Sequence, residues 1–197
     1  MTSKYLPVDE RDEVFLDTET TGLDPVVNEI VEFAAIKRNR AGKVVATLKI
    51  DVRALYANEP PPWAEGLPGF DRETWAEGIQ YALKVNGLTL EEVTSEDRAD
   101  PDEAAVQIAD FLKNCTLIGQ NPSFDVEFLK QMMLRSKVKE MWYGKVRPVR
   151  LPYPKIDVVT LAYVRLVPDG LGKLSLTKEG GVCEFLGIPI EGAHTAM

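Results

Sequence analysis

The first organised stretch of the chain is Val14-Phe15-Leu16, an apolar run that meets Asp17 and Glu19 and then breaks at Thr20-Thr21-Gly22. This is the pattern of a buried strand ending in a turn. Two further β-rich segments follow, Asn28 to Lys37 and Lys43 to Val52, with Arg40-Ala41-Gly42-Lys43 as the turn between them. Three strands on short connections predict an antiparallel meander. The pattern then lapses from Arg53 to about Asp71, where Pro60-Pro61-Pro62, Pro68, Gly66 and Gly69 exclude regular structure. This stretch reads as a loop insertion anchored by Trp63, Phe70 and Trp75, a docked surface loop in preference to a base-stacking one.

Helical spacing returns from Glu73 to Val85 and stops at Asn86-Gly87, a C-cap signature. Thr89 and Glu92 are spaced as a capping box, and Asp100-Pro101-Asp102-Glu103 opens a helix with an apolar face that lasts to about Asn114. Thr116 to Gly119 predicts a short buried strand, and a helix follows from about Phe124 to Arg135. Lys137 to Tyr153 reads as irregular and basic, a candidate phosphate-facing strip. Ile156 to Val159 marks another strand or strand-to-helix junction, leading into helix to Leu166. Leu171 to Leu186 is helical in pattern, interrupted at Gly180-Gly181. The sum is an α/β layer with a mixed sheet, the meander first and parallel strands after it, and helices on its faces.

Composition narrows the classes. The 197 residues suit one domain, and 45% apolar with 27% charged residues is a globular balance. The net charge of −8 excludes a protein that coats nucleic acid by bulk positive charge. It leaves room for an enzyme that meets only a chain end through metal ions. Cys115 and Cys183 show no paired spacing, so neither a disulfide framework nor a zinc site is expected, and a reducing, intracellular setting follows. No apolar run approaches a bilayer span, which predicts a soluble, cytoplasmic protein with no membrane partner.

Chemistry gathers at three places. Asp17 and Glu19, two apart on a strand, point to one face. They either begin a solvated turn or form a carboxylate pair that a hard divalent cation such as Mg²⁺ or Mn²⁺ must hold. Asp125, in Asn121-Pro122-Ser123-Phe124-Asp125, lies where a strand leads into a helix N-terminus, the place where open α/β sheets bind ligands. The third is His194, the only histidine, in Gly192-Ala193-His194-Thr195-Ala196.

Together these motifs resemble those of the DnaQ-like, DEDDh-type 3′–5′ exonucleases. Asp17-Thr18-Glu19-Thr20-Thr21-Gly22-Leu23, with Glu29-Ile30-Val31-Glu32 behind it, is similar to their first motif. The Asn121 to Asp125 segment resembles the second, and the residues around His194 the start of the third. The resemblance implies a ribonuclease H-like fold, two divalent metal ions, and removal of nucleotides from the 3′ end of single-stranded nucleic acid. It casts Asp17, Glu19 and Asp125 as metal ligands and His194 as general base. Thr20, Thr21, Gly22, Leu23, Asn121 and Phe124 become candidate substrate contacts, with core packing the competing reading for Leu23 and Phe124. DNA is the favoured substrate, with a DNA polymerase as a candidate partner. RNA trimming and an inactive module that binds a nucleic-acid end or a polymerase stay open beside it. The family places a fourth carboxylate five residues after its histidine, at what would be position 199, beyond the last residue given. On that basis the single domain 1–197 is expected to lack its C-terminal catalytic helix, to bind metal poorly and to be weakly active.

Overall fold

The computed structural model describes residues 10–142, 145–148, 151, 152 and 154–189, with backbone only from 139 to 148. Three strands come first: β1 (Asp12–Thr20), β2 (Ile30–Arg38) and β3 (Val44–Asp51). Each pairs antiparallel with the next, as the short connections between them permit. The helices α1 (Arg72–Asn86), α2 (Leu90–Thr94) and α3 (Pro101–Phe111) lead to β4 (Cys115–Gly119) and α4 (Pro122–Arg135). A hairpin of β5 (Lys139–Trp142) and β6 (Lys145–Pro148) precedes β7 (Lys155–Asp157), α5 (Val158–Leu166) and α6 (Val182–Phe185). The central sheet runs β3-β2-β1-β4-β7, with β4 parallel to both β1 and β7. This is the mixed sheet with flanking helices that the alternation of elements predicts.

The helix boundaries follow from capping chemistry. Asp71 accepts the N–H of Thr74 at the start of α1, and Gly87 ends it at φ +70°, a conformation that only glycine adopts without cost. Thr89 and Glu92 form the predicted capping box on α2. Asp100 caps α3, with Pro101 in its first turn.

Two cores flank the sheet. In the larger, Val14, Leu16, Phe33 and Leu117 from the strands meet Ile108 of α3 and Phe128 and Leu129 of α4. In the second, Trp75, Ile79 and Leu83 of α1 pack with Val31, Val93 and Ala54, Ala57 and Ala64 from the 53–71 stretch. That stretch holds one 3-10 turn at Ala64–Gly66. It is anchored by indole N–H bonds from Trp63 to the Val26 carbonyl (2.9 Å) and from Trp75 to the Val27 carbonyl (3.3 Å). No helix among the described residues is long and apolar enough to cross a membrane.

Two sequence expectations are corrected. Within the Lys137–Tyr153 stretch, Lys139–Trp142 and Lys145–Pro148 are strands and not irregular: they pair in a register that sets Glu140 opposite Arg147 and Met141 opposite Val146. Leu171–Leu186 is not a helix broken at its glycines, since only Val182–Phe185 is helical. Leu171 and Leu176 instead fold back with Val182 against Ala162 of α5. This compact turn closes through bonds from Val182 N to Ser175 O and from Cys183 N to Leu176 O. A Cβ at Gly181 would stand 2.2 Å from the Ser175 carbonyl oxygen, so the glycine marks a close backbone approach within the turn.

Leu117 is fully buried in β4, the strand that pairs with β1 and leads into the helix bearing Asp125. Leu117→Ala is expected to destabilise the protein by about 3 kcal/mol, read as a lower denaturation midpoint at unchanged slope.

Candidate active site

β1 alternates, so Val14, Leu16, Thr18 and Thr20 point into the protein while Asp17 and Glu19 share the opposite face. Glu19 stands directly across the ladder from Glu32 of β2, a like-charge pair that the sheet does not favour. The third acid arrives from the other side. The close approach of β4 to β1 requires Gly119, where a Cβ would come within 3.0 Å of the Leu16 carbonyl oxygen. Asn121 then turns the chain in the left-handed region at φ +48°, and Pro122 begins α4, so Asp125 falls in the first turn. There it is 4% exposed, and the Thr18 hydroxyl donates to its Oδ1 at 2.7 Å.

The electrostatics link the three acids. Burial, then the charges of Asp17, Glu32 and Asp125, push the Glu19 carboxyl up to about 7. Burial, opposed by the Thr18 hydroxyl and assisted by the charge of Asp17, raises Asp125 to about 6. Asp17, Glu19 and Asp125 therefore share one field, although no three acidic, cysteine or histidine side chains among the described residues form a ready ion cage. Asp125 is fixed by Thr18, whereas exposed Asp17 and half-buried Glu19 sit on the strand beside it. Burial and neighbouring charge hold the Glu19 and Asp125 carboxyls above their usual range, and such oxygen donors fit a hard divalent cation. His194 lies outside the described residues.

The loop after β1 is tied down bond by bond. Thr20 Oγ1 donates to the Gly22 carbonyl (2.7 Å), and the N–H of Thr21 to the Glu29 carbonyl (2.9 Å). Thr21 Oγ1 accepts from the N–H of Glu29 (3.0 Å), and Asn28 Oδ1 from that of Asp24 (3.2 Å). Gly22 is required by contact rather than by backbone angle, because a Cβ there would lie 2.6 Å from Asn28 Oδ1. With Thr20 and Thr21 buried, their side chains serve the loop, and of the two only Thr20 lines the adjoining cleft.

Glu19, Thr20, Gly22, Leu23 and Phe124 line one open cleft of about 620 Å³. Leu23 is 84% exposed, which removes core packing as its purpose. Phe124 does both jobs: it packs on Phe128 with ring centroids 4.8 Å apart and also faces the cleft. Asn121 does not reach this cleft. It is exposed, and its backbone N–H is bound by Asp157 Oδ1 at 3.1 Å.

Four positions that hold the site escaped the sequence reading. Thr18 was visible only as a spacer between acids. Asn86, read as a helix end, donates from Nδ2 to the Thr20 carbonyl at 3.1 Å. Asp157, read as a strand junction, caps α5 through Val159 N and Thr160 Oγ1 while it fixes Asn121. Glu32 belongs to the first motif, but only strand register sets it against Glu19.

The RNase_T exonuclease family model matches residues 14–79, the segment with Asp17, Glu19 and Leu23. The PolC-type DNA polymerase III of Thermotoga petrophila is 28% identical over 93% of this chain, which spans only 11% of that protein. A DNA polymerase III subunit epsilon-like protein of Rhodobacter capsulatus is 29% identical over 97% of the chain and 22% of its own length. The epsilon subunit of Treponema pallidum is 27% identical over 91% of the chain and 67% of its own length. Among solved structures, Escherichia coli Exonuclease I in complex with a dT13 oligonucleotide superposes with a TM-score of 0.66 at 18% identity. That match covers 94% of this chain and 38% of the other.

Two outcomes follow from the site. Gly22→Ala should cost about 1–2 kcal/mol by displacing Asn28, seen as a lower thermal midpoint. Between the ordinary value of 4.5 and about 7, folded Glu19 keeps a proton that the unfolded chain has released. Deprotonation therefore opposes folding, and the metal-free protein should lose thermal stability as pH rises from about 5 to about 7. Asp125 shifts the same way. Glu19→Gln should flatten this slope in melts run across that pH range, and Mg²⁺ or Mn²⁺ should restore stability at pH 7.

Proposed function

We propose that this chain, a member of the DnaQ-like exonuclease family on a ribonuclease H-like fold, is a metal-dependent 3′–5′ exonuclease. It would release nucleoside 5′-monophosphates from the 3′ end of single-stranded DNA. The observation that carries the reading is the meeting of Asp17, Glu19 and Asp125 in one electrostatic field beside an open cleft. Asp17, Glu19 and Asp125 are the residues that would hold two divalent cations, Mg²⁺ or Mn²⁺. Bound there, the cations supply positive charge for the phosphodiester oxygens and a water of lowered pKa. Thr18 holds the Asp125 carboxylate in place and keeps its Oδ1 hydrogen-bonded. His194 is the general base in this reading, an imidazole whose ordinary pKa lies near neutrality.

The cleft supplies orientation. Thr20 and Gly22 would face the terminal sugar from the cleft wall, with buried Thr21 bracing the loop behind them, and Leu23 and Phe124 offer apolar surface to the terminal base. Similarity to polymerase III chains supports DNA over RNA as substrate and a replicative polymerase as partner.

A 5′-labelled single-stranded oligonucleotide, as DNA and as RNA, tests this with Mg²⁺, Mn²⁺ or EDTA. The expected result is a metal-dependent ladder that shortens from the 3′ end, faster on DNA. Asp17→Ala or Asp125→Asn should lower the rate at least about a hundredfold. Shortening from the 5′ end, or cutting that persists in EDTA, would overturn the reading. Binding without cleavage would leave a module that holds a nucleic-acid end.

A further inference from the structure

Helix α1 has two working faces. Trp75, Ile79 and Leu83, spaced by four, are buried in the second core. Thr74, Gly78, Tyr81, Ala82 and Val85 form the adjoining face and line the cleft. Gly78 and Ala82 keep that wall low. From it rises Tyr81, 72% exposed, while Leu23 projects at 84% exposure from the loop wall. Large apolar side chains left in water around one groove mark a surface meant for a partner.

Charge narrows the partner's presenting face. Glu19, Asp24 and Asp71 line the cleft, and no lysine or arginine does among the described residues. A phosphate backbone laid along such a groove would be repelled, whereas the flat faces of bases would be accepted. Position along the helix then fixes which bases. Asn86 pins the C-terminal end of α1 to the Thr20 carbonyl beside the acids. Tyr81 lies five residues back, about 7.5 Å along the axis at 1.5 Å per residue. That is roughly two stacked steps of 3.4 Å.

We infer that Tyr81 is a stacking platform for bases one or two nucleotides upstream of the 3′-terminal residue, so that the cleft grips single-stranded nucleic acid by its bases rather than its phosphates. The inference rests on the exonuclease reading and adds a specificity determinant to it. A paired end cannot enter this mode, because its base faces are already stacked on neighbours within the duplex.

The test compares wild type, Tyr81→Ala and Tyr81→Phe, each in Mg²⁺, on three substrates. These are an intact single-stranded oligonucleotide, the same strand with an abasic unit at the second or third nucleotide from the 3′ end, and the p-nitrophenyl ester of thymidine 5′-monophosphate. The ester has no upstream base. Tyr81→Ala should raise KM for the intact strand about tenfold with kcat within about twofold, and Tyr81→Phe should restore it. The abasic unit should cost wild type about tenfold and cost Tyr81→Ala almost nothing further. The ratio of kcat/KM on strand to ester should fall about tenfold in Tyr81→Ala. Raising KCl from 50 to 200 mM should change the wild-type KM by less than about threefold. A wild-type KM in Tyr81→Ala, an abasic penalty undiminished in that variant, or a steep salt dependence would overturn the inference alone. Failure of wild type to hydrolyse both strand and ester would overturn the exonuclease reading with it.

Discussion

A carboxylate almost wholly withdrawn from water survives only with a donor in hand, and the Thr18 hydroxyl is that donor for Asp125. Much of the architecture serves that contact. β4 must run parallel to β1 and close against it, which Gly119 permits. The chain must then reverse abruptly enough for the first turn of α4 to lie over β1, which the left-handed Asn121, held by Asp157, achieves. The site is thus a product of how two secondary elements end, more than of what they contain.

The fold separates charge from shape. The acids stand on the sheet and on the helix packed against it, and their mutual repulsion makes that corner receptive to cations. The cleft wall on α1 is apolar and stepped, and it carries no charge of its own beyond the capping Asp71. A protein with a net charge of −8 can meet a polyanion on these terms, with attraction confined to one corner and the remaining contact made through flat apolar surface.

Sequence made the meander, α1 and the three caps legible because each rests on a local rule: apolar runs for β1 and β2, a glycine after Asn86, Thr89 set three before Glu92. It also placed Asp17, Glu19 and Asp125 in the same motifs that the structure brings into one field. What it missed depends on partners distant along the chain. Leu171 and Leu176 have the spacing of a helix face, yet an apolar surface on α5 wins them into a turn. Glu140 and Arg147 read as loop charge until strand register sets them opposite each other. The exposure of Leu23 cannot be read from a leucine in a turn, since the same residue would be core if the 53–71 stretch packed over it.

Helix α4 has a second attachment. At its last turn Arg135 donates to the carbonyls of Pro25 and Val26 (both 2.7 Å) and of Asn28 (2.9 Å), with its guanidinium over the Trp63 ring at 5.2 Å. Its first turn meanwhile grips β1 through Asp125. Asp125 and Arg135 lie ten positions apart on α4, a rod of about 15 Å bonded at one end to β1 and at the other to the connection that follows it. The loop after β1 and the carboxylate corner are therefore coupled through α4. A tilt of the rod would change reach and alignment in concert, and the fold behaves there as a lever rather than as two adjustable parts.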